Sequence, residues 1–249
     1  DIQLHYVDIQ NVPQGLEDLA QAGITTREAC GNTVRNVTAC HKAGTCSTEV
    51  FDVAPYALAV SKYLLRMDLT QNLPRKFKIT FGGCNGCGLA PIHDIGLKAV
   101  VKNDVRGFKV LIGGGLGSFP HAAKHLADFI PAENMLQMCE AMVSVFDKYG
   151  DKRNRNKARL KFVVDKLGMD KIKELYEEEY AALNSKTYPA LDLTDQGIPK
   201  IPAYQPNKEH NADPEFSLWK NRNIEAQKQS GFNNIQIKLN LGDFDISQA

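Results

Sequence analysis

Four of the six cysteines fall in two close pairs. Cys40 and Cys46 stand in TACHKAGTC, and Cys84 and Cys87 in GGCNGCG. Four thiolates on loops of small residues suit an iron–sulfur cluster. Zinc is the other metal reading, and buried cysteines without a metal are the third. Gly44, Thr45, Gly83, Gly86 and Gly88 give these loops the lack of bulk that convergence on one point requires. Cys139 lies on the apolar face of a predicted helix and Cys30 outside both pairs, so both read as plain thiols.

Between the pairs runs LPRKFKITF. Alternation on a strand puts Lys76 and Lys78 on one face and Phe77 on the other. Two like charges so placed repel unless an anion sits over them; a solvated edge strand is the competing reading. Arg35, shortly before Cys40, joins them as a candidate anion binder. Arg153, Arg155, Lys157, Arg159 and Lys161 form a second basic cluster at a helix start, where cations oppose the helix dipole. That cluster reads as a carboxylate site or as a solvated helix start. Gly113-Gly114-Gly115 follows a strand and permits close backbone approach to a flat or phosphate-bearing ligand, or makes a tight turn. His93, beside Asp94 in PIHDIG, reads as a structural histidine.

These residues need elements to position them. The chain has 249 residues, 43% hydrophobic and 24% charged, with a formal net charge of +1. That profile is globular, and its neutrality gives no argument for nucleic acid. No apolar run approaches a membrane span. Reduced thiols and the lack of a signal segment point to the cytoplasm. The patterns predict a strand over 1–9 and a helix over Val12–Gly23, together half of a ferredoxin-like unit. A loop is expected over 30–49. Helices are expected over Val50–Arg66, Pro131–Gly150 and Lys157–Gly168, and from an Asp170 cap to about Tyr180. Strands are expected over Lys76–Phe81, Ile95–Val101, Phe108–Ile112 and Ile235–Leu241. The proline-rich stretch 184–214 reads as a linker. Both ends read as chain cut within a unit of something longer.

Taken together, TTREACGNTVRNVTAC, LPRKFKITFGGCNGCG, the GGGLG run and NRNKARLKF resemble the siroheme-dependent nitrite and sulfite reductases. The resemblance covers nearly the whole chain and is to the first half-repeat of those enzymes. From Trp219 through Gln227-Lys228-Gln229 to Leu241-Gly242-Asp243 the chain resembles the start of the second. It implies an α/β (α+β) fold: a partial ferredoxin-like half over 1–29, an α/β siroheme-binding subdomain over 30–183, a linker over 184–214 and a second ferredoxin-like half starting in 215–249. It implies six-electron reduction of sulfite to sulfide, or nitrite to ammonia, at a siroheme coupled to a 4Fe-4S cluster. Electrons would come from a ferredoxin or a flavoprotein.

By the same resemblance, Arg35, Lys76 and Lys78 bind the substrate anion, and a lysine at 78 leans towards sulfite. Arg159 and Lys161 would hold siroheme carboxylates, with Gln3, His5, Arg35 and the Gly113–Gly115 run as further cofactor contacts. In the family the cluster ligands come from the second repeat, spaced C-x5-C and C-x3-C. Here the first pair matches and the second is one residue shorter. Cys40, Cys46, Cys84 and Cys87 are therefore either metal ligands or an inherited echo of that motif. Two other functions stand beside this one: an iron–sulfur electron-transfer subunit without siroheme, and a non-catalytic zinc-stapled domain. The basic constellation discriminates, since neither alternative needs inward-facing cations.

Overall fold

The computed structural model describes residues 4–86, 89–193 and 214–242. Helix α1 (Val12–Gln21) leads into a five-stranded mixed sheet. Its strands lie in sequence order: β1 (Val34–Ala39), β2 (Phe77–Gly82), β3 (Ile95–Lys102), β4 (Val105–Ile112) and β5 (Lys124–Pro131). The first three are parallel; β3, β4 and β5 are antiparallel. Helix α2 (Ala54–Leu64) links β1 to β2, as a parallel connection requires. A tight turn at Asn103 and Asp104 joins β3 to β4. Both residues have positive φ, 50° and 62°, which asparagine and aspartate tolerate best after glycine.

One face of the sheet carries the core. Phe77, Ile79 and Phe81 of β2 align with Ile95 and Leu97 of β3 and with Phe108, Val110 and Ile112 of β4, all buried. Phe77 meets Phe146 of α3 (Met135–Tyr149) at 5.3 Å between ring centroids. Phe81, Phe108, Tyr56 and Phe51 form a chain of mostly edge-on contacts at 5.3–5.5 Å. Burying each such side chain stabilises the fold by about 1.5–3 kcal/mol. That energy fixes the rotation of β2, and so sends Lys78 and Thr80 to the opposite face.

Helices α4 (Leu160–Leu167) and α5 (Met169–Ala182) follow α3. Gly168, with φ 79°, ends α4 as expected, and it also holds the N-cap position of α5. Asp170 therefore lies in the first turn of α5 rather than at its cap. A short hairpin, β6 (Ile224–Ala226) with β7 (Asn233–Ile235), follows α6 (Pro214–Asn223).

Several sequence expectations need correction. Residues 4–8 form no strand, and Ile9–Asn11 is a short 3-10 turn. An alternating segment becomes a strand only when a neighbour takes its backbone groups, and none of the described strands pairs with it. The rest of that expectation, including Gln3, lies outside the described residues. The expected loop over 30–49 contains β1. Its Asn36 and Thr38 fall on the polar face, where Thr38 Oγ1 donates to Thr80 Oγ1 at 3.1 Å. Strand β5 was not expected at all. The start of the predicted linker is anchored: Tyr188 and Leu191 pack against the core. The last predicted strand pairs only over Asn233–Ile235, with Ile237 and Leu239 exposed. No helix among the described residues is long and apolar enough to cross a membrane.

Candidate anion-binding site

Strand β2 lies between β1 and β3, so Lys78 is not on an edge strand. In the β1–β2 register Val34 faces Phe77 and Asn36 faces Lys78, which leaves Arg35 as the extra residue of a bulge. A bulge re-aims one side chain without breaking the sheet. Arg35 Nε donates to the Gly31 carbonyl at 3.2 Å, which steadies that side chain beside β2.

These residues lie close enough for their charges to act on one another. The Lys76 ammonium is held below its ordinary pKa, first by burial and then by the charges of Arg35, Lys78, Arg159 and Arg75. Arg75 is lowered by burial, then by Arg155, Arg35 and Arg159. Arg35, Arg75, Lys76, Lys78, Arg155 and Arg159 thus form one cation group. Among the described residues, Asp94 is the carboxylate that forms a salt bridge with a member of it. Such a concentration of like charge is a strong field for an incoming anion.

Asp94 is fully buried and organises the group. It accepts from Arg159 Nε at 3.1 Å and Nη2 at 2.7 Å, and from the Lys78 backbone N–H at 2.9 Å. Burial raises its pKa against the pull of Arg159 and the Lys78 amide. The sequence reading passed over Asp94 as a site residue. The signal was a lone carboxylate opening the apolar run IGLKAVV, because aspartate is rarely fully buried unless paired. Its neighbour His93 is buried, lowered in pKa mainly by that burial, and donates through Nδ1 to Leu89 O at 2.7 Å. It is the structural histidine expected. Arg75 was also missed, although it stands in the same PRKFK stretch.

The remaining candidates are placed as follows. Arg159 holds the N-cap position of α4 and spends two donors on Asp94. Lys161 is buried and donates to Leu116 O at 3.1 Å and to Phe119 O. Arg159 thus has a carboxylate partner within the chain, and Lys161 has two backbone carbonyls. Gly113–Gly115 packs against the chain itself. A Cβ at Gly114 would stand 2.4 Å from Pro91 O, and Gly113 has φ 76°. That packing is what requires glycine at 113 and 114. His5 lies exposed before α1, its ring neighbouring Tyr6. Gln3 is outside the described residues.

The cysteines lie at the other end of β2. Cys40 and Cys46 follow β1, and Cys84 follows β2, so the two loops project from the same end of neighbouring parallel strands. Cys46 and Cys84 line one cavity of about 360 Å³. Cys40 is buried at the end of β1, its Sγ accepting the Lys42 N–H at 3.4 Å. Cys87 lies outside the described residues. Among the described residues no three His, Cys, Asp or Glu side chains converge as a metal site. The donor chemistry of these thiols suits a cluster. Cys139, by contrast, is wholly buried in the core, its thiol pKa pushed up by that burial. The cation group thus lies towards the start of β2 and the thiols beyond its end.

Residues 30–183 match the model of the nitrite and sulphite reductase 4Fe-4S domain. An assimilatory ferredoxin-dependent nitrite reductase of Haloferax mediterranei is 37% identical over 186 residues, covering 72% of this chain and 32% of that protein. A sulfite reductase (ferredoxin) of Mycolicibacterium paratuberculosis is 33% identical over 181 residues, with the same two coverages. The chain therefore spans about a third of the length of these relatives. The solved structure of the Mycobacterium tuberculosis NirA protein superposes with a TM-score of 0.66 at 30% identity, covering 71% of this chain and 32% of that one. A dissimilatory sulfite reductase I shares the fold at 14% identity, with a TM-score of 0.56.

Proposed function

The chain belongs to the nitrite and sulphite reductase 4Fe-4S domain family, and from that premise we propose that it supplies the anion-binding half-site of a siroheme-dependent reductase. The reaction is six-electron reduction of sulfite to sulfide, or of nitrite to ammonia, with sulfite favoured by Lys78. One observation carries this reading: Arg35, Arg75, Lys76, Lys78, Arg155 and Arg159 crowd one neighbourhood, in which Arg159 is paired with the buried Asp94.

The residues fit siroheme through its carboxylates, since Arg75 and Arg155 add cationic donors beside Arg35, Lys76 and Lys78. Siroheme coupled to a 4Fe-4S cluster would, when bound, relay the donor's electrons to the substrate. The protein's own part is electrostatic. Arg35, Lys76 and Lys78 hold the substrate oxygens and stabilise the charge that builds as S–O or N–O bonds break. Lys76, held below its ordinary pKa, can give up a proton at its Nζ more readily than a free lysine and regain it when an anion arrives. Asp94 fixes the geometry by tying Arg159 to the amide of Lys78. A ferredoxin as donor accords with the names of the relatives.

The cation group also weighs against an electron carrier without siroheme, and against a zinc-stapled domain, because neither has a use for it. The test is the absorption spectrum of the full-length protein with and without sulfite. Tetrapyrrole bands that shift on sulfite addition are expected. A protein purified under reducing conditions that carries no tetrapyrrole absorption would overturn the proposal.

A further inference from the structure

The loop that carries Cys46 is gripped by residues from the far end of the chain. Cys46 and Gln227 form an antiparallel bridge. The Lys228 N–H donates to Thr45 O at 3.1 Å, and Gln229 Nε2 donates to Gly44 O at 2.6 Å. Lys42 forms an ion pair with Glu225. On the inner side stands Glu49, whose side chain is 3% exposed. Its Oε2 accepts the Gly44 N–H at 3.0 Å and its Oε1 accepts Lys228 Nζ at 2.6 Å. Glu49 also packs on the second cysteine loop, where a Cβ at Gly83 would come within 3.2 Å of Glu49 Cβ. The neighbouring Val50 N–H donates to Gly83 O at 2.7 Å.

A nearly buried carboxylate needs its partners. Lys228 is the cation that compensates Glu49, and a charge-assisted bond of this kind is directional as well as strong. Without Lys228 the carboxylate must find water, and the nearest way is to lift the loop. The same segment lines the thiol cavity, to which Glu225, Asn234 and Gln236 contribute alongside Cys46 and Cys84.

We infer that Glu49 and Lys228 are positioning residues for the Cys46–Cys84 pocket. Segment 225–229 straps the Cys46 loop down, and Glu49 passes that hold to the loop of Cys84. Access to the two thiols is thereby set by docking of the β6–β7 hairpin. The role does not depend on whether the thiols carry a metal.

Alkylation by N-ethylmaleimide, followed residue by residue through peptide mass spectrometry of the full-length protein, tests this. Exposed Cys30 is the internal rate standard and core Cys139 the reporter of unfolding. Lys228→Met is expected to speed alkylation of Cys46 and Cys84 by about tenfold relative to Cys30, the scale of one lost charge-assisted bond, with Cys139 still protected. Lys228→Arg should keep the wild-type ratio. Glu225→Gln, at an exposed position, should speed Cys46 more than Cys84, because it frees only Lys42. Unchanged ratios in Lys228→Met and Glu225→Gln would overturn the inference. Acceleration shared equally by Cys139 in both variants would overturn it too, because that is global unfolding and not release of a strap.

Discussion

Arg159 grips Asp94 at two points, Nε to Oδ1 at 3.1 Å and Nη2 to Oδ2 at 2.7 Å, and the same carboxylate accepts the Lys78 amide at 2.9 Å. Three elements are joined by this contact: the start of α4, the residue before β3, and β2. It bears on the backbone of Lys78, so it serves both stability and the geometry of the site.

Removing one partner of a buried pair leaves the other charge uncompensated. Arg159→Ala is therefore expected to lower the unfolding free energy by about 3–5 kcal/mol. Asp94→Asn combined with Arg159→Met should recover part of that loss, since no charge is then stranded. Urea denaturation followed by circular dichroism measures both. A loss below 1 kcal/mol in Arg159→Ala, within the range of about 0–1 kcal/mol for exposed pairs, would mean that solvent reaches the pair.

Lys76 gives a pH dependence whose sign is fixed. Its folded-state pKa lies below the ordinary 10.5. As pH rises through that lowered value, the folded protein releases the proton before the unfolded chain does, so stability without anion rises across the window up to 10.5. Affinity for sulfite or nitrite falls across the same window, because a cation is lost. In Lys76→Met both slopes should flatten. Anion titrations and thermal melts at a series of pH values read the two effects separately.

Glu140 of α3 is a second buried carboxylate. It accepts from Tyr63 at 2.6 Å, Lys186 at 2.6 Å and Tyr188 at 3.0 Å. Glu140→Ala removes the acceptor shared by these half-buried phenols and the exposed Lys186, and is expected to cost about 1 kcal/mol in all, since water can reach the freed donors. Burial, aided by Glu140, holds both phenols above the ordinary value of 10.0. The folded protein keeps those protons after the unfolded chain has released them, so this contribution to stability is lost as pH rises above 10.0. Ultraviolet titration of tyrosinate in wild type and Glu140→Ala checks the assignment.

Gly114→Ala tests the origin of the glycine run. The new methyl carbon would stand 2.4 Å from Pro91 O and 2.8 Å from His93 O. Overpacking against backbone of this kind costs about 1–3 kcal/mol or more. A thermal melt of Gly114→Ala unchanged from wild type would show that the backbone there can yield.

How legible the site was depends on the range of the interactions that build it. The direction of Lys78 could be read from sequence because a period of two and the bulk of Phe77 decide it locally. The two loops bearing Cys40, Cys46 and Cys84 were legible for the same reason, from glycine and from spacing. Asp94 was not, because its burial is tolerable only with Arg159, 65 residues away. Strand β1 was missed because Asn36 and Thr38 on its polar face resemble loop residues when the covering of a face is unknown. Glu49 was invisible because its partner Lys228 lies 179 residues further on. The apolar stripe of α1 predicted the helix correctly, yet Leu16 remains exposed, since periodicity does not say what covers a face.

The central claim is that Lys76 and Lys78, with Arg35, hold the substrate anion. The most direct measurement is the dissociation constant for sulfite on the full-length protein, wild type against Lys76→Met/Lys78→Met, with circular dichroism as the folding control. Two lost charge-assisted contacts of about 1.5–3 kcal/mol each predict at least about 100-fold weaker binding. A folded double variant that binds sulfite within about twofold of wild type, a difference of about 0.4 kcal/mol, would contradict the account.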